Sequence, residues 1–537
     1  MFSRPRRTGF RILPVARRSR FAGSSAPAGG GGSYWTGTVR TTDGSVSDVQ
    51  AKINAASSGD ILEIPSGSFS WSTGVTVSGG KGVLIRGQGS GRVLGYHNAS
   101  GISIGTGSKS FTFVAVPGQP APTNGQTLRA WVNGGERNSG GSGTGEKPWM
   151  EGTVTSYSGG TLTLNVTSTS GHSMTKRLWI IATGPTTTIT NNTGATGRLM
   201  SLGEGTTIPN GVTGIRFEAG TVSENANHIH ITSNTGGKPT LVFDNWLGVE
   251  GSMIAVESLV NRGVVYNNTF ARFNWVNSVG ECFKLTGASD SWSTVSTMGV
   301  ADTDGTKNFY FETNDIHAMV TTVDIDDYGR GVVRYNLLNE SACGGSHGAD
   351  TSNYGVRHQE FNHNTFVRTV VGGSPDLETF DLNRAFLIRG GTGTIYANVI
   401  PNLDSSAWGT KDEIQLQIQN LDRNAGPNAC WGANIAGNQY PCPRQIGMGY
   451  VTGSGTDGLG RSNDGYTYVG DLEPMYIWGN TGSGGAISVL TGYESASECT
   501  NPDLASNYIQ LNRDYYTSTK PGYVEYEYPH PLRSEAT

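Results

Sequence analysis

The feature that most constrains this chain is a strand signal that recurs and ends each time on asparagine. The segments 264–270, 309–316, 332–337, 359–366 and 394–399 alternate β-branched or aromatic residues, reach an asparagine and continue into an apolar residue. Asn268, Asn314, Asn336, Asn364 and Asn398 stand 46, 22, 28 and 34 residues apart. Leu241-Val-Phe-Asp-Asn245 comes 23 before the first of them, and Met475-Tyr-Ile-Trp-Gly-Asn480 follows the last. A spacing in the low twenties with one strand-to-turn signal per unit marks a stacked solenoid. Three strands of about 5 residues joined by three short turns need roughly 20 to 25 residues, which matches. Asparagine tolerates the left-handed conformation expected at a tight corner, and its amide can bond its counterpart one coil away. An ordinary β-sandwich, the other fold with this strand content, gives no reason for asparagine to recur at strand ends.

The pattern resembles the right-handed parallel β-helix of pectate-lyase-like proteins, an all-β solenoid. The start of the chain carries the same resemblance. Val46, Val49, Ile53 and Ala56 recur at helical spacing behind Ser45 and Ser47, which predicts a short amphipathic helix with a serine N-cap. Gly59-Asp60 ends it, and Ile61-Leu-Glu-Ile64 begins the first strand. A solenoid needs a terminal unit to seal its open core, and this helix suits that place. The segment 48–69 resembles the opening of many pectate-lyase-like proteins and tailspikes, and Val83-Leu-Ile-Arg-Gly-Gln-Gly89 resembles their next coil.

Composition narrows the class further. Glycine is 79 of 537 residues without a triplet period, so the excess marks turns and β-edges rather than collagen. The formal net charge of −5 excludes a polyanion-binding body and leaves local grooves as the sites for glycans. Five cysteines are too few for a disulfide scaffold. Cys430 and Cys442 are close enough to clip one loop, and Cys282, Cys343 and Cys499 have no evident partners. No apolar run approaches the roughly 18 residues of a membrane span.

Residues 1–35 are of another kind. Arg4, Arg6, Arg7, Arg11, Arg17, Arg18 and Arg20 occur with no acid before a Gly/Ser/Ala/Pro linker. The longest apolar stretch, Ile12 to Ala16, is broken by Pro14 and is too short for a signal peptide, which needs about 7 apolar residues or more. The composition also suits a mitochondrial-type transit peptide, but an arm that orders on an assembly partner is the favoured reading, with the seven arginines as its anchoring residues. After the cap and first coils (36–99), the rhythm breaks over 100–183 into clean antiparallel alternation. Trp149 to Tyr157, the turn Ser158-Gly-Gly160 and Thr161 to Thr167 read as a hairpin. Gly105-Thr-Gly-Ser-Lys-Ser-Phe111 and Trp149-Met-Glu-Gly-Thr-Val-Thr-Ser-Tyr157 resemble a small β module of bacteriophage tail fibres and tailspikes. The main β-helix is expected over 184–490, and an aromatic cap over the last coil at 491–537.

Candidate chemistry follows from the period. Asp302, Asp326 and Asp350 are each 24 apart, close to one coil. In register, neighbours would approach the roughly 5 to 5.5 Å of retaining glycosidases, and the outer pair the roughly 6.5 to 9.5 Å of inverting ones. His347 lies in the same turn region, so these four are the candidate catalytic residues. The bland alternative is that Asp forms turns and a solenoid has many. Trp131, Trp149, Tyr328, Arg357 and His358 are the candidate glycan contacts. His228 and His230 alternate about Ile229 and read as exposed strand positions, with no third ligand to make a metal site. No cofactor is expected, although a carboxylate row is also how such folds hold Ca²⁺ for polysaccharide elimination. Together these readings imply a phage virion protein located at the tail or head surface. It would be a tailspike or tail-fibre-like β-helix, docked to other virion proteins by its arm, that binds host-surface polysaccharide and can degrade it. The resemblance also implies a homotrimer. The alternatives are a free extracellular lyase or glycosidase, which would require export, and a structural head-decoration protrusion, which would require no aligned carboxylates.

Overall fold

The computed structural model describes residues 34–534 except 79, 89–92, 98–100, 116–119, 133–147, 172–174, 177–178, 184–186, 195, 221–225, 233–235, 251–252, 275–279, 288–297, 318, 320, 340, 342, 347–355, 368–383, 401–413, 420–445, 448–472, 483–484, 487–488 and 493–509. Short strands recur in threes, and each stacks on the strand one coil earlier. Thr240–Phe243, Trp246–Glu250 and Ile254–Ser258 make one coil. The next strand, Gly263–Tyr266, lies parallel on the first, with Leu241 opposite Val264 and Val242 opposite Val265. Repetition builds three long parallel sheets. Among the described residues the first has 12 strands (Val39–Thr41 to Tyr515–Tyr516), the second 8 (Gly67–Trp71 to Thr365–Val367) and the third 10 (Val75–Val77 to Val489–Gly492). This is a parallel β-helix, right-handed in the sense that parallel crossovers take.

Alternation along each strand sends every second side chain inward. Val212, Val242, Val265, Phe311, Val333, Phe361, Ile395 and Ile477 therefore stack in register on successive coils of the first sheet, all within the central core. Each such side chain contributes roughly 1.5–3 kcal/mol on burial. The N-terminal end is closed by α1 (Val46–Ala55), whose Val49 and Ile53 enter the same core. Ser45 caps it by accepting the Asp48 N–H at 3.2 Å.

The recurrent asparagines form one buried ladder. Asn245, Asn268, Asn314, Asn336, Asn364 and Asn398 each donate backbone N–H and side-chain Nδ2 to the Oδ1 of the next, at 2.8–3.1 Å, ending on Asn480. Every Nδ2 also donates to a carbonyl of the preceding coil, as Asn336 does to Phe311 at 3.0 Å. The left-handed residue is not the asparagine, as the sequence suggests, but the one before it. Asp244, Asn267, Thr313, Tyr335, His363 and Ala397 have φ between 53° and 56°. Each of these L-residues carries roughly 1–2 kcal/mol of strain, which the paired ladder bonds offset.

The antiparallel module leaves the solenoid at one corner. The first-sheet strand Leu84–Gly87 precedes it and the second-sheet strand Thr187–Asn191 follows it, with Gln88 N–H donating to Thr187 Oγ1 at 2.8 Å across the neck. Its seven-stranded sheet includes Val93–His97, so the coil is abandoned before residue 100. Phe111, Leu128, Met150, Leu162, Leu164 and Trp179 give it a core of its own. The hairpin turn falls at Gly159 and Gly160, with φ of 58° and 78°, as a two-residue turn of this kind requires.

The C-terminal segment does more than cover the last coil. Tyr515–Tyr516 pairs with Met475 and Tyr476 as the final strand of the first sheet. The chain then runs back over that sheet's outer face as a strap. Tyr523 O–H donates to Glu360 Oε2 at 2.6 Å, Tyr528 stacks on Tyr335 at 3.6 Å, and His530 lies 4.3 Å from the Tyr310 ring. Glu312, fully buried, accepts from Arg334 and from the strap's Arg533, both at 2.8 Å, while Arg334 donates to the carbonyls of Tyr526 and Glu527. Burial alone would raise the Glu312 pKa, but Arg334 and Arg533 hold it below its ordinary value. Trp35 stacks on Phe243 at 6.3 Å on the same face. Cys282 and Cys343 are free thiols in the core, whereas Cys430, Cys442 and Cys499 lie outside the described residues. No helix among the described residues is long and apolar enough to cross a membrane.

Asn336→Ala strands the two donors of Asn314 and the carbonyl of Phe311, so the protein should lose about 3 kcal/mol of stability, read from its chemical denaturation midpoint. His530 in the strap donates Nε2–H to the Asp302 carbonyl at 3.0 Å and accepts the Leu532 N–H on Nδ1 at 3.2 Å. Burial pushes its pKa from 6.5 down to about 4. The unfolded chain therefore takes up a proton between these values and the folded one does not. This contribution should be complete above pH 6.5 and fall by about 3 kcal/mol as pH drops toward 4. Denaturation midpoints of the wild type and His530→Gln across that range check it, the variant losing the dependence.

Candidate functional site

The three faces of the solenoid differ in what lies on them. The first carries the strap and Trp35. The second is covered by the module over several coils. Trp131, Val93, Ile180 and Ala182 pack on Trp246 and Ala271, and the Arg216 guanidinium sits between the rings of Trp131 and Trp246 at 3.7 and 4.1 Å. The third presents a row of charge instead.

That row is set by register. On the third sheet Met200, Ile229, Val256, Phe283 and Val323 are paired inward residues, so Ser201, His230, Glu257, Lys284 and Asp324, the next position on each strand, face outward in line. Neighbours in such a row stand about 4.8 Å apart, close enough for signs to alternate favourably. His230 Nδ1 lies 2.9 Å from Glu257 Oε2, and Lys284 Nζ lies 3.6 Å from Asp324 Oδ2. Asp326, two residues on and on the same face, brings its Oδ2 within 3.8 Å of the same ammonium. Burial works against the Lys284 charge, but Asp324, Glu281, Asp326 and Glu257 overcome it and raise its pKa. Burial likewise opposes the Glu257 charge, while His230, Arg198 and Lys284 hold its pKa down.

The strand rise separates the Asp324 and Asp326 backbones by roughly 6.6 Å. Asp326 Oδ1 also accepts the Asp327 N–H at 2.8 Å. One coil further on, the position paired with Asp324 is Gly345, where a Cβ would meet the Leu387 carbonyl at 1.6 Å. The position paired with Asp324 therefore carries no side chain of its own. The arrangement places two aspartates, 4% and 7% exposed, on one strand face with a cation between them. Among the described residues no group of three His, Cys, Asp or Glu side chains could hold a metal.

Of the residues singled out from sequence, Asp326 belongs to this cluster and half-buried Tyr328 lies at the corner just after it, with φ 61° and its carbonyl accepting from Asn261 Nδ2 at 3.1 Å. Asp302 does not align with them. Thr286 is the residue paired with Asp326 one coil back. The chain between Thr286 and Phe309 is too long for a simple corner, so a spacing of 24 residues does not equal one coil there. Asp302 instead shapes a turn beneath the strap. It accepts the N–H groups of Thr306, Lys307 and Asn308 and the Tyr310 hydroxyl, and burial raises its pKa. His347 and Asp350 lie outside the described residues, as do the seven arginines of the arm.

The expected glycan contacts are also corrected. Trp131 is buried under the module, and Trp149 is half-buried with the Arg129 guanidinium 4.0 Å over its ring. Arg357 is fully buried and forks onto Glu473 at 2.9 and 3.0 Å. His358 is buried 3.2 Å from Glu360, and burial lowers its pKa. His228 and His230, expected to be exposed, have no exposed surface. The reason is common to these cases: polar residues at coil edges meet the next coil or a covering segment rather than water. Lys284 and Glu257 were missed; the alternation Thr321-Thr-Val-Asp-Ile-Asp326 by itself shows that Asp324 and Asp326 share a face.

No family model matches the chain, and no curated protein is similar to it. Among solved structures it is similar to the tailspike protein gp49 of Pseudomonas phage LKA1, at 12% identity over 84% of this chain and 71% of that one, with a TM-score of 0.22. An alginate lyase of Paenibacillus sp. str. FPU-7 is similar at 11% identity over 85% and 91%, with a TM-score of 0.23. The gp54 tailspike of Acinetobacter baumannii bacteriophage AP22, solved with a capsular saccharide, is similar at 11% identity over 83% and 66%, with a TM-score of 0.17. Scores this low carry no argument about chemistry, and the β-helix is established by the chain's own strand register.

Proposed function

We propose that this chain is a polysaccharide-binding and polysaccharide-cleaving β-helix of the phage tailspike kind, acting at the outer face of its third sheet. The observation that carries the reading is the Asp324–Lys284–Asp326 cluster, the place where two outward carboxylates share one strand face. A sugar chain laid over that strand would meet the Lys284 side chain, 26% exposed, before the carboxylate side chains at 6% and 10%. Asp326, whose Oδ1 is oriented by the Asp327 N–H, is assigned as the water-activating base. The two carboxylates would flank the glycosidic bond, and Lys284 would orient both and offset charge as it develops. Attachment to a particle through residues 1–35, a virion location and side-by-side trimer assembly are the finer parts of this proposal. They rest on the resemblance of the 105–157 segments to tail-type modules and on the arginine-rich arm.

Asp324→Asn and Asp326→Asn should each slow the shortening of host-surface polysaccharide by about 100-fold or more while leaving thermal unfolding near wild type. Lys284→Met should slow it as well. Chain length followed by size-exclusion chromatography with light scattering checks this. Wild-type rates in both aspartate variants would remove the cluster from catalysis. A wild type that binds without shortening the chain would leave a receptor-binding protein, and no binding at all would favour a structural protrusion.

A further inference from the structure

The outward rings of the first sheet form two columns that run to its last strands. Tyr396 pairs with Trp478 and Tyr476 with Tyr516, on either side of the inward Ile477. The rings repeat the register. Those of Tyr396 and Trp478 are 4.5 Å apart and 1° from parallel, and those of Tyr476 and Tyr516 are 5.2 Å apart and 12° from parallel. Parallel rings at about the 4.8 Å strand spacing lie across the solenoid axis, so the last ring of each column turns one face toward the end of the sheet.

Earlier on this face, outward rings meet a ring from a covering segment. Phe243 has Trp35 at 6.3 Å, Tyr310 has His530 at 4.3 Å and Tyr335 has Tyr528 at 3.6 Å. At the end the cover thins. Tyr515–Tyr516 is the final strand of the sheet among the described residues, and neither of its residues pairs with Trp478. Tyr523 lies 5.4 Å from Tyr396 and 5.5 Å from Trp478, so it stands beside that stack and not on its end. Tyr476, Trp478 and Tyr516 are each half-buried. Of the exposed residues over 510–519, Leu511 alone is apolar; Gln510, Asn512, Thr517, Ser518 and Thr519 carry amides or hydroxyls. Two ring faces and one leucine are too little for a stable protein interface, which buries roughly 800 Å² on each partner. They match one or two sugar rings. One face of a pyranose is a set of C–H bonds and its hydroxyls point to the rim, so it stacks on an aromatic face and keeps its polar groups in water.

We propose that this end of the first sheet is a saccharide subsite, in which pyranose rings stack on Trp478 and Tyr516 as the next layer of their columns. It rests on the polysaccharide reading for the class of its ligand and not on Asp324 and Asp326, which lie on another sheet.

The test is tryptophan emission and thermal unfolding of the full chain with and without excess methyl glycosides of glucose, galactose, mannose and rhamnose. At least one glycoside should move the wild-type emission to shorter wavelength, as the sugar takes water off Trp478, and raise the unfolding midpoint by about 1 °C. Trp478→Ala should lose both responses. Trp478→Phe keeps a ring to stack on, so it should lose the emission change and keep the raised midpoint. Asp326→Asn should keep both responses while losing cleavage. No response in wild type, or equal responses in wild type and Trp478→Ala, overturns the proposal. So does a wild-type oligomer by light scattering that Trp478→Ala dissociates, in favour of a contact between copies. A wild type that shortens polysaccharide yet answers to no glycoside sinks the subsite and leaves the cleavage reading standing.

Discussion

Every coil of this protein turns on the same pair of hydrogen bonds. At the corner between the first and second sheets, an asparagine gives its backbone and side-chain N–H to the Oδ1 of the next asparagine, from Asn245 to Asn480. The corner needs a left-handed residue, and most coils put an L-residue there in place of glycine, including Tyr335 and His363. The ladder makes that strain affordable because each asparagine satisfies donors and a carbonyl that a sharp turn would otherwise leave buried and unpaired. With the corner fixed, register is fixed, and with register the inward stack from Val212 to Ile477 follows.

A solenoid of this kind has three outer faces and two open ends, and the chain deals with each differently. The helix α1 closes one end. The first face is covered by Trp35 and by a strap whose Arg533 joins Arg334 on the buried Glu312. The insertion at the first corner folds back on the second face, where Arg216 fills the gap between two tryptophans. On the third face His230, Glu257, Lys284 and Asp324 stand in line, with His230 2.9 Å from Glu257 and Lys284 3.6 Å from Asp324. Coverage thus sorts the faces, and even on the third Asp324 and Asp326 are only 4% and 7% exposed.

The polar groups of the second and third faces are held by pairing within each sheet. On the third, the single ammonium of Lys284 faces the two carboxylates of Asp324 and Asp326. On the second, Asp315 is ion-paired with His317 at 2.9 Å, and Asn339 Nδ2 donates to His317 Nδ1.

The sequence by itself determined the solenoid, because a coil corner leaves a local mark: a period-2 strand, an asparagine and an apolar residue, repeated at coil length. It also determined the cap, since Ser45, Val49 and Ile53 are a helix signal over ten residues, and the module's hairpin, since two glycines take the turn. Only the tertiary structure decided which acids meet. Asp302 and Asp326 are one coil apart in sequence count, yet the long connection before Phe309 moves the first beneath the strap and leaves Thr286 opposite the second. Local pattern says which way a side chain faces; it does not say what another part of the chain will lay over it. Trp131, Arg357 and His358 were legible as ligand contacts and are instead buried by segments distant in sequence. Lys284 and Asp324 lie 40 residues apart and become neighbours only because strands of the third sheet stack in register. Periodicity is a local property and survives in the sequence, whereas coil length between strands varies, and that variation sets the sites.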